Sequence, residues 1–144
     1  STKIKHVDYL GYNWFFNTKS VSNSNQKDFQ KINVMYLLDS CINKLIERNL
    51  LKNSYDYLEL FFFRYIVWFL LFTCKKHSYK EIKMQHNKLF SWLSSNFPNY
   101  KKNKLIGFNS PKGESKGYQV FYMFFMLIHK LKVDSFFIYI YSKL

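Results

Sequence analysis

The sequence predicts a mainly α-helical protein, a bundle packed around one central apolar helix and preceded by a short extended segment. Residues 57–74, YLELFFFRYIVWFLLFTC, are apolar on nearly every face, so as a helix they must be enclosed rather than lie half in water. The run from Leu60 to Cys74 falls short of the roughly 20 apolar residues of a spanning helix and contains Arg64, which favours enclosure by protein over lipid. The flanking segments repeat apolar residues at helical spacing, the pattern of amphipathic helices that can wrap a central one.

Residues 1–26 form the first region. Residues 2–16 are rich in β-branched and aromatic side chains, so a strand-like piece is expected over 7–16 with Gly11 as a bend. Residues 17–26, NTKSVSNSNQ, are a polar loop. The helical domain is expected over 27–144. Asn25 with Asp28 is a helix start, and Ile32, Met35, Leu38, Ile42, Leu45 and Ile46 recur at helical spacing, giving a first helix from Lys27 to about Leu50. Asn53 and Asp56 repeat the start for the central helix, and Lys75-Lys76-His77 suits the negative end of its dipole.

Ser78 with Glu81 makes a capping box for a third helix, marked by Ile82, Leu89, Phe90 and Leu93 and stopped after Asn96 by Pro98. Residues 99–116, with Gly107, Pro111 and Gly113, are expected as a basic loop. A fourth helix follows over 118–131, with Phe121, Phe124, Phe125, Ile128 and Leu131 on one face. Asp134 is expected to cap a short last helix, FFIYIYSKL, despite the strand propensity of that run. No internal repeat is present.

At 144 residues the chain is one domain, and 48% hydrophobic with 22% aromatic residues excludes a disordered segment. The net charge of +13 attracts phosphates, nucleic acid or an anionic membrane. Part of it reflects codon usage: the chain has no Ala, its only arginines are Arg48 and Arg64, and Lys, Asn, Ile, Phe and Tyr abound, as in an AT-rich genome. Lys also reads bases less well than Arg. Cys41 and Cys74 lie on apolar stretches and are expected as buried hydrophobes in a reducing compartment. The chain opens at Ser1 with no signal peptide and no initiating Met, so it is expected to be cut from something longer.

Catalytic motifs are scarce. There is no Gly-x-Ser-x-Gly elbow, no phosphate loop and no Asp-x-Asp pair. Cys74 and His77 lack a second pair of metal ligands. His6-Val7-Asp8 is expected as an exposed turn or strand pair, and His86 and His129 as solvated. Arg64 is expected to pair with Asp56, Glu59 or a helix terminus. Aromatics at Phe121, Tyr122, Phe124 and Phe125 are expected in the core rather than stacked on bases. Lys101, Lys102, Lys104, Lys112, Lys116, Lys130, Lys132 and Lys143 border aromatic, strongly apolar segments, which include Phe136, Phe137 and Tyr139. Either this combination meets an anionic membrane surface, or the rings pack on the bundle and the lysines are simply solvated.

The order of segments resembles the C-terminal region of family 2 glycosyltransferases that assemble bacterial polysaccharides. Residues 6–22, HVDYLGYNWFFNTKSVS, look like the closing strand and Tyr-rich segment of that family, ending in Ser20-Val21-Ser22. Trp92-Leu93 and Phe97-Pro98 before the basic connector match its helical region, and residues 124–144 are like its basic, aromatic tail. Where the family often carries an Arg before Ser-x-Ser, this chain has Phe15.

The resemblance implies an accessory domain of a transferase that moves a sugar from a nucleotide donor to a glycan or lipid-linked acceptor. The catalytic domain would lie upstream, so no catalytic residue is expected here. His6, Tyr12, Ser20, Ser22 and Arg64 become candidate acceptor or phosphate contacts. No cofactor is expected in this chain, and a divalent metal only in the upstream domain. The implied partners are that domain, an anionic membrane surface and a second copy of the chain. The implied location is cytoplasmic, peripheral on the inner face of the plasma membrane. The alternative is a small basic helical module that binds nucleic acid, with lysines gathered on one face; a purely oligomerising bundle is a third option.

Overall fold

The structure is a computed structural model that describes residues 32–52, 54–107 and 109–144. The expected strand-like segment, the polar loop, and the candidate contacts His6, Tyr12, Ser20 and Ser22 lie outside the described residues. The described chain is mainly α, with its helices gathered on one long apolar helix.

The first helix, α1, is Val34–Glu47. Asn33 accepts from Tyr36 N at 3.2 Å and so caps it. Val34, Leu38 and Ile42, four residues apart, form its buried stripe. Asn49 sits in the left-handed region (φ 54°), a tolerated conformation for Asn, and Leu50 N closes the end on Leu45 O.

The central helix, α2, is Tyr55–Thr73, with Ser54 at its N-cap position. Phe62, Phe63, Ile66, Val67, Phe69 and Leu70 are almost fully buried. Phe63 is the hub, with the rings of Phe90, Tyr100, Tyr122 and Phe125 at 6.3–6.4 Å. Extended by the 3-10 turn Cys74–Lys76, the rod spans Tyr55–Lys76 and is long and apolar enough to cross a membrane by length and composition. Of its most apolar window, 56% is buried inside the structure. Among the described residues its enclosure is one-sided: Tyr57, Phe61 and Trp68 are each at least half exposed, against the expectation of a fully wrapped rod.

The next helix, α3, is Tyr79–Asn96. Its capping box is complete: Glu81 N donates to Ser78 Oγ, and Ser78 N donates to Glu81 Oε2 at 2.8 Å. Ile82, Leu89, Phe90 and Leu93 face the core. Trp92 Nε1 donates to Asp39 Oδ1 at 2.7 Å and ties α3 to α1. Phe97 ends the helix just before Pro98, and its ring packs on Phe62.

The basic connector is less free than the expected loop. It begins with a 3-10 turn, Tyr100–Lys102, whose Tyr100 is buried. Asn103 Nδ2 donates to Asp56 O at 2.7 Å and to Glu59 Oε2 at 3.0 Å. At the far end, Arg64 and Glu114 form a two-pronged ion pair, with Nη2 to Oε2 at 2.6 Å. Helix α4, Lys116–Lys130, starts at Ser115, which accepts from Tyr118 N. Its end is a Schellman closure: Lys132 N donates to His129 O, Val133 N to Ile128 O, and Lys132 takes φ 60°.

The C-terminal run is helix α5, Asp134–Tyr141, and not a strand. Asp134 does not cap it, because Val133 holds the N-cap position and no side-chain cap bond forms. The carboxylate is used elsewhere.

Candidate functional site

Four elements meet at one buried polar cluster. The α3 periodicity that buries Ile82, Leu89, Phe90 and Leu93 also places His86 on the inner face, since positions 82, 86, 89, 90 and 93 share one stripe. In α4, His129 follows Phe125 by four residues and shares its inner face. His86 and His129 are buried, not solvated as the sequence suggested. Asp134, from the first turn of α5, reaches back to both: Oδ2 accepts from His86 Nε2 and from His129 Nδ1, each at 2.5 Å. Tyr100 Oη lies 2.6 Å from His129 Nε2, and Phe90 stacks on the His129 ring at 4.1 Å.

The protons can be followed through the cluster. Burial pushes the Tyr100 phenol up to about 12, with the negative Asp134 adding to the rise and a bond to Ser94 opposing it. The phenol therefore keeps its proton and donates to His129 Nε2. His129 then donates from Nδ1 to Asp134. His86 Nδ1 faces the side-chain amide of Asn87 at 3.2 Å. Burial alone would raise the Asp134 carboxyl, but the hydrogen bonds from the two imidazoles outweigh it and hold the group well below the usual carboxylate range.

These bonds limit what the cluster can do. Each imidazole nitrogen has a polar partner, so both rings are held in one orientation. Two imidazoles and a carboxylate are also a metal donor set, and their ligand atoms lie within 4.8 Å of one another. A dication there would have to displace the protons that both rings direct at Oδ2, among lysines that repel it. The cluster is a cross-brace joining α3, the Tyr100–Lys102 turn, α4 and α5.

Above the brace opens a cleft of ≈ 310 Å³ with Lys83, Lys101, Lys132, Asn87 and Ser135 on its walls. A neighbouring cleft of ≈ 510 Å³ shares Asn87, Lys101 and His129 and adds Ser91, Ser94 and Tyr100. A third, of ≈ 310 Å³, is aromatic: Tyr57, Phe61, Tyr65, Trp68 and Tyr122 surround Arg64. Along it Phe61 and Tyr65 stack at 6.3 Å, and Trp68 and Phe72 at 5.0 Å.

Arg64 pairs with Glu114, not with Asp56, Glu59 or a helix end as expected, and its guanidinium lies over the Tyr122 ring at 4.8 Å. Lys101, Lys102, Lys104, Lys130 and Lys132 are exposed. Phe136 is exposed beside Ile140, whereas Phe137 and Tyr139 are half-buried on the core. Of the aromatic run in α4, Phe125 is fully buried, Phe121 and Tyr122 pack on the core, and Phe124 is partly exposed. Of the candidate contacts, Lys101 and Lys132 are brought to one cleft. No protein-family model, curated protein or solved structure matches the chain.

Proposed function

We propose that this helical unit is the C-terminal accessory domain of a family 2 glycosyltransferase, one that moves a sugar from a nucleotide-sugar donor to a glycan or lipid-linked acceptor. In this reading the unit positions the acceptor, the membrane surface or a partner, and leaves the transfer itself to other residues. The observation that carries it is the polar cluster: His86, His129, Asp134 and Tyr100 bond to one another and tie four elements together, an arrangement suited to holding position. The order of elements also supports it, with a long apolar helix, a helix closed at Phe97-Pro98, a basic connector and a basic aromatic end.

The exposed Phe124, Leu127, Leu131, Phe136 and Ile140 on α4 and α5, beside Lys130, Lys132 and Lys143, suit an interface with an anionic surface. Flotation with liposomes rich in anionic phospholipid tests this part. Binding at low salt that fades with added salt is expected, and no binding at low salt removes the membrane role. The enzymatic part is tested by the codons that precede Ser1. A nucleotide-sugar domain with an acidic metal-binding pair supports it, and an unrelated domain there overturns it.

A further inference from the structure

We propose that the cleft over the histidine–aspartate brace binds a phosphate-bearing group, of the pyrophosphate or phosphomonoester class. Three lysines from three separate parts of the fold converge on it: Lys83 from α3, Lys101 from the 3-10 turn and Lys132 from the α4–α5 junction. Asn87 and Ser135 add neutral hydrogen-bonding groups to the same walls. The one carboxylate present, Asp134, has its side chain only 2% exposed and directs Oδ2 at the two imidazoles, so it does little to repel an anion. Two of the lysines are held only loosely elsewhere: Lys83 Nζ is 5.8 Å from the Tyr79 ring centroid and Lys101 Nζ 5.7 Å from that of Tyr100. Both can turn toward a stronger partner, because a charge-assisted bond to phosphate exceeds an exposed cation–π contact.

Lys132 makes the case specific. It occupies the left-handed position of the Schellman closure (φ 60°), where glycine is the ordinary occupant because a Cβ is disfavoured there. A lysine in that place works against the fold, while its side chain lines the cleft. Fold and ligand therefore make opposite demands on the same residue.

This deepens the acceptor-positioning reading by naming the chemical group that is held, but its test stands apart from membrane flotation. Pyrophosphate is titrated into the 144-residue chain by calorimetry at physiological salt. Saturable binding is expected, about tenfold weaker in Lys101→Gln and in Lys132→Gly. Lys132→Gly is also expected to raise Tm by about 3 °C as the strained conformation is relieved. Lys44→Gln, which removes the same charge from α1, should bind like the parent. The proposal is overturned if the parent shows no saturable binding, if Lys132→Gly binds undiminished, or if Lys44→Gln weakens binding as much as the cleft variants. Competition identifies the source of the phosphate. If pyrophosphate displaces the chain from anionic vesicles, the cleft takes a lipid headgroup; if vesicles leave pyrophosphate binding unchanged, it takes a soluble phosphate.

Discussion

The surroundings of Phe63 and those of Asp134 are both buried, yet they are held together in different ways. Around Phe63 four rings meet at 6.3–6.4 Å with interplanar angles from 33° to 65°, contacts that depend on volume more than on direction. Around Asp134 a single carboxylate oxygen takes two imidazole donors, and a phenol completes the chain. The first region can lose shape gradually. The second works only with its full set of partners, because a buried polar group left alone carries the whole cost of its desolvation.

The sharpest break in that comparison is Asp134→Ala set against Phe63→Leu. Removing the carboxylate strands two buried imidazoles and is expected to cost about 3–5 kcal/mol in urea denaturation, whereas Phe63→Leu, which keeps an apolar side chain but gives up some volume, should cost less, about 1–2 kcal/mol. Equal losses would show that the brace is no more demanding than the core. Next in size is Tyr100→Phe. It leaves the ring in place but takes the donor from His129 Nε2, for an expected loss of about 1–3 kcal/mol.

Acid sharpens the same contrast. The folded Asp134 carboxyl lies below its ordinary 3.8, so the stability it contributes is complete above that value and drains away as pH falls through it toward the folded pKa. Thermal melts should therefore fall steeply below about pH 4 in the parent and more gently in Asp134→Asn. The smallest expected effect belongs to Glu59, a buried carboxyl whose Oε1 finds no hydrogen bond and whose pKa burial pushes up. Burying its charge costs stability above its ordinary 4.5. Glu59→Gln keeps an oxygen for Asn103, so a small rise in Tm is expected at about pH 7 that disappears near pH 4; a fall at neutral pH would contradict it.

The helices were legible because their local chemistry agrees with their packing. Ser78 with Glu81 fixed the start of α3, Pro98 its end, and the spacing of Leu38 and Ile42 the inner stripe of α1. The brace was not legible, for a reason visible in His86. It follows Ile82 by four residues and precedes Phe90 by four, so periodicity alone buries it. Its polar neighbours Gln85 and Asn87 made the segment look solvated, and local composition outweighed spacing. His129 beside Lys130 misled in the same way. Asp134 opens a helix, where an acidic residue suggests a cap, and only the tertiary fold brings its carboxylate to α3 instead. The Arg64 partner was equally hidden, because Glu114 is fifty residues away in a loop.

The connector between α3 and α4 is fastened near both extremities, by Asn103 on α2 and by Glu114 on Arg64. Between those fastenings Gly113 has nothing within 4 Å of where a Cβ would stand. A short peptide tag or a cysteine for a fluorescent dye, spliced between Lys112 and Gly113, should leave the bundle undisturbed and give an optical handle on whatever docks against the rest of the molecule.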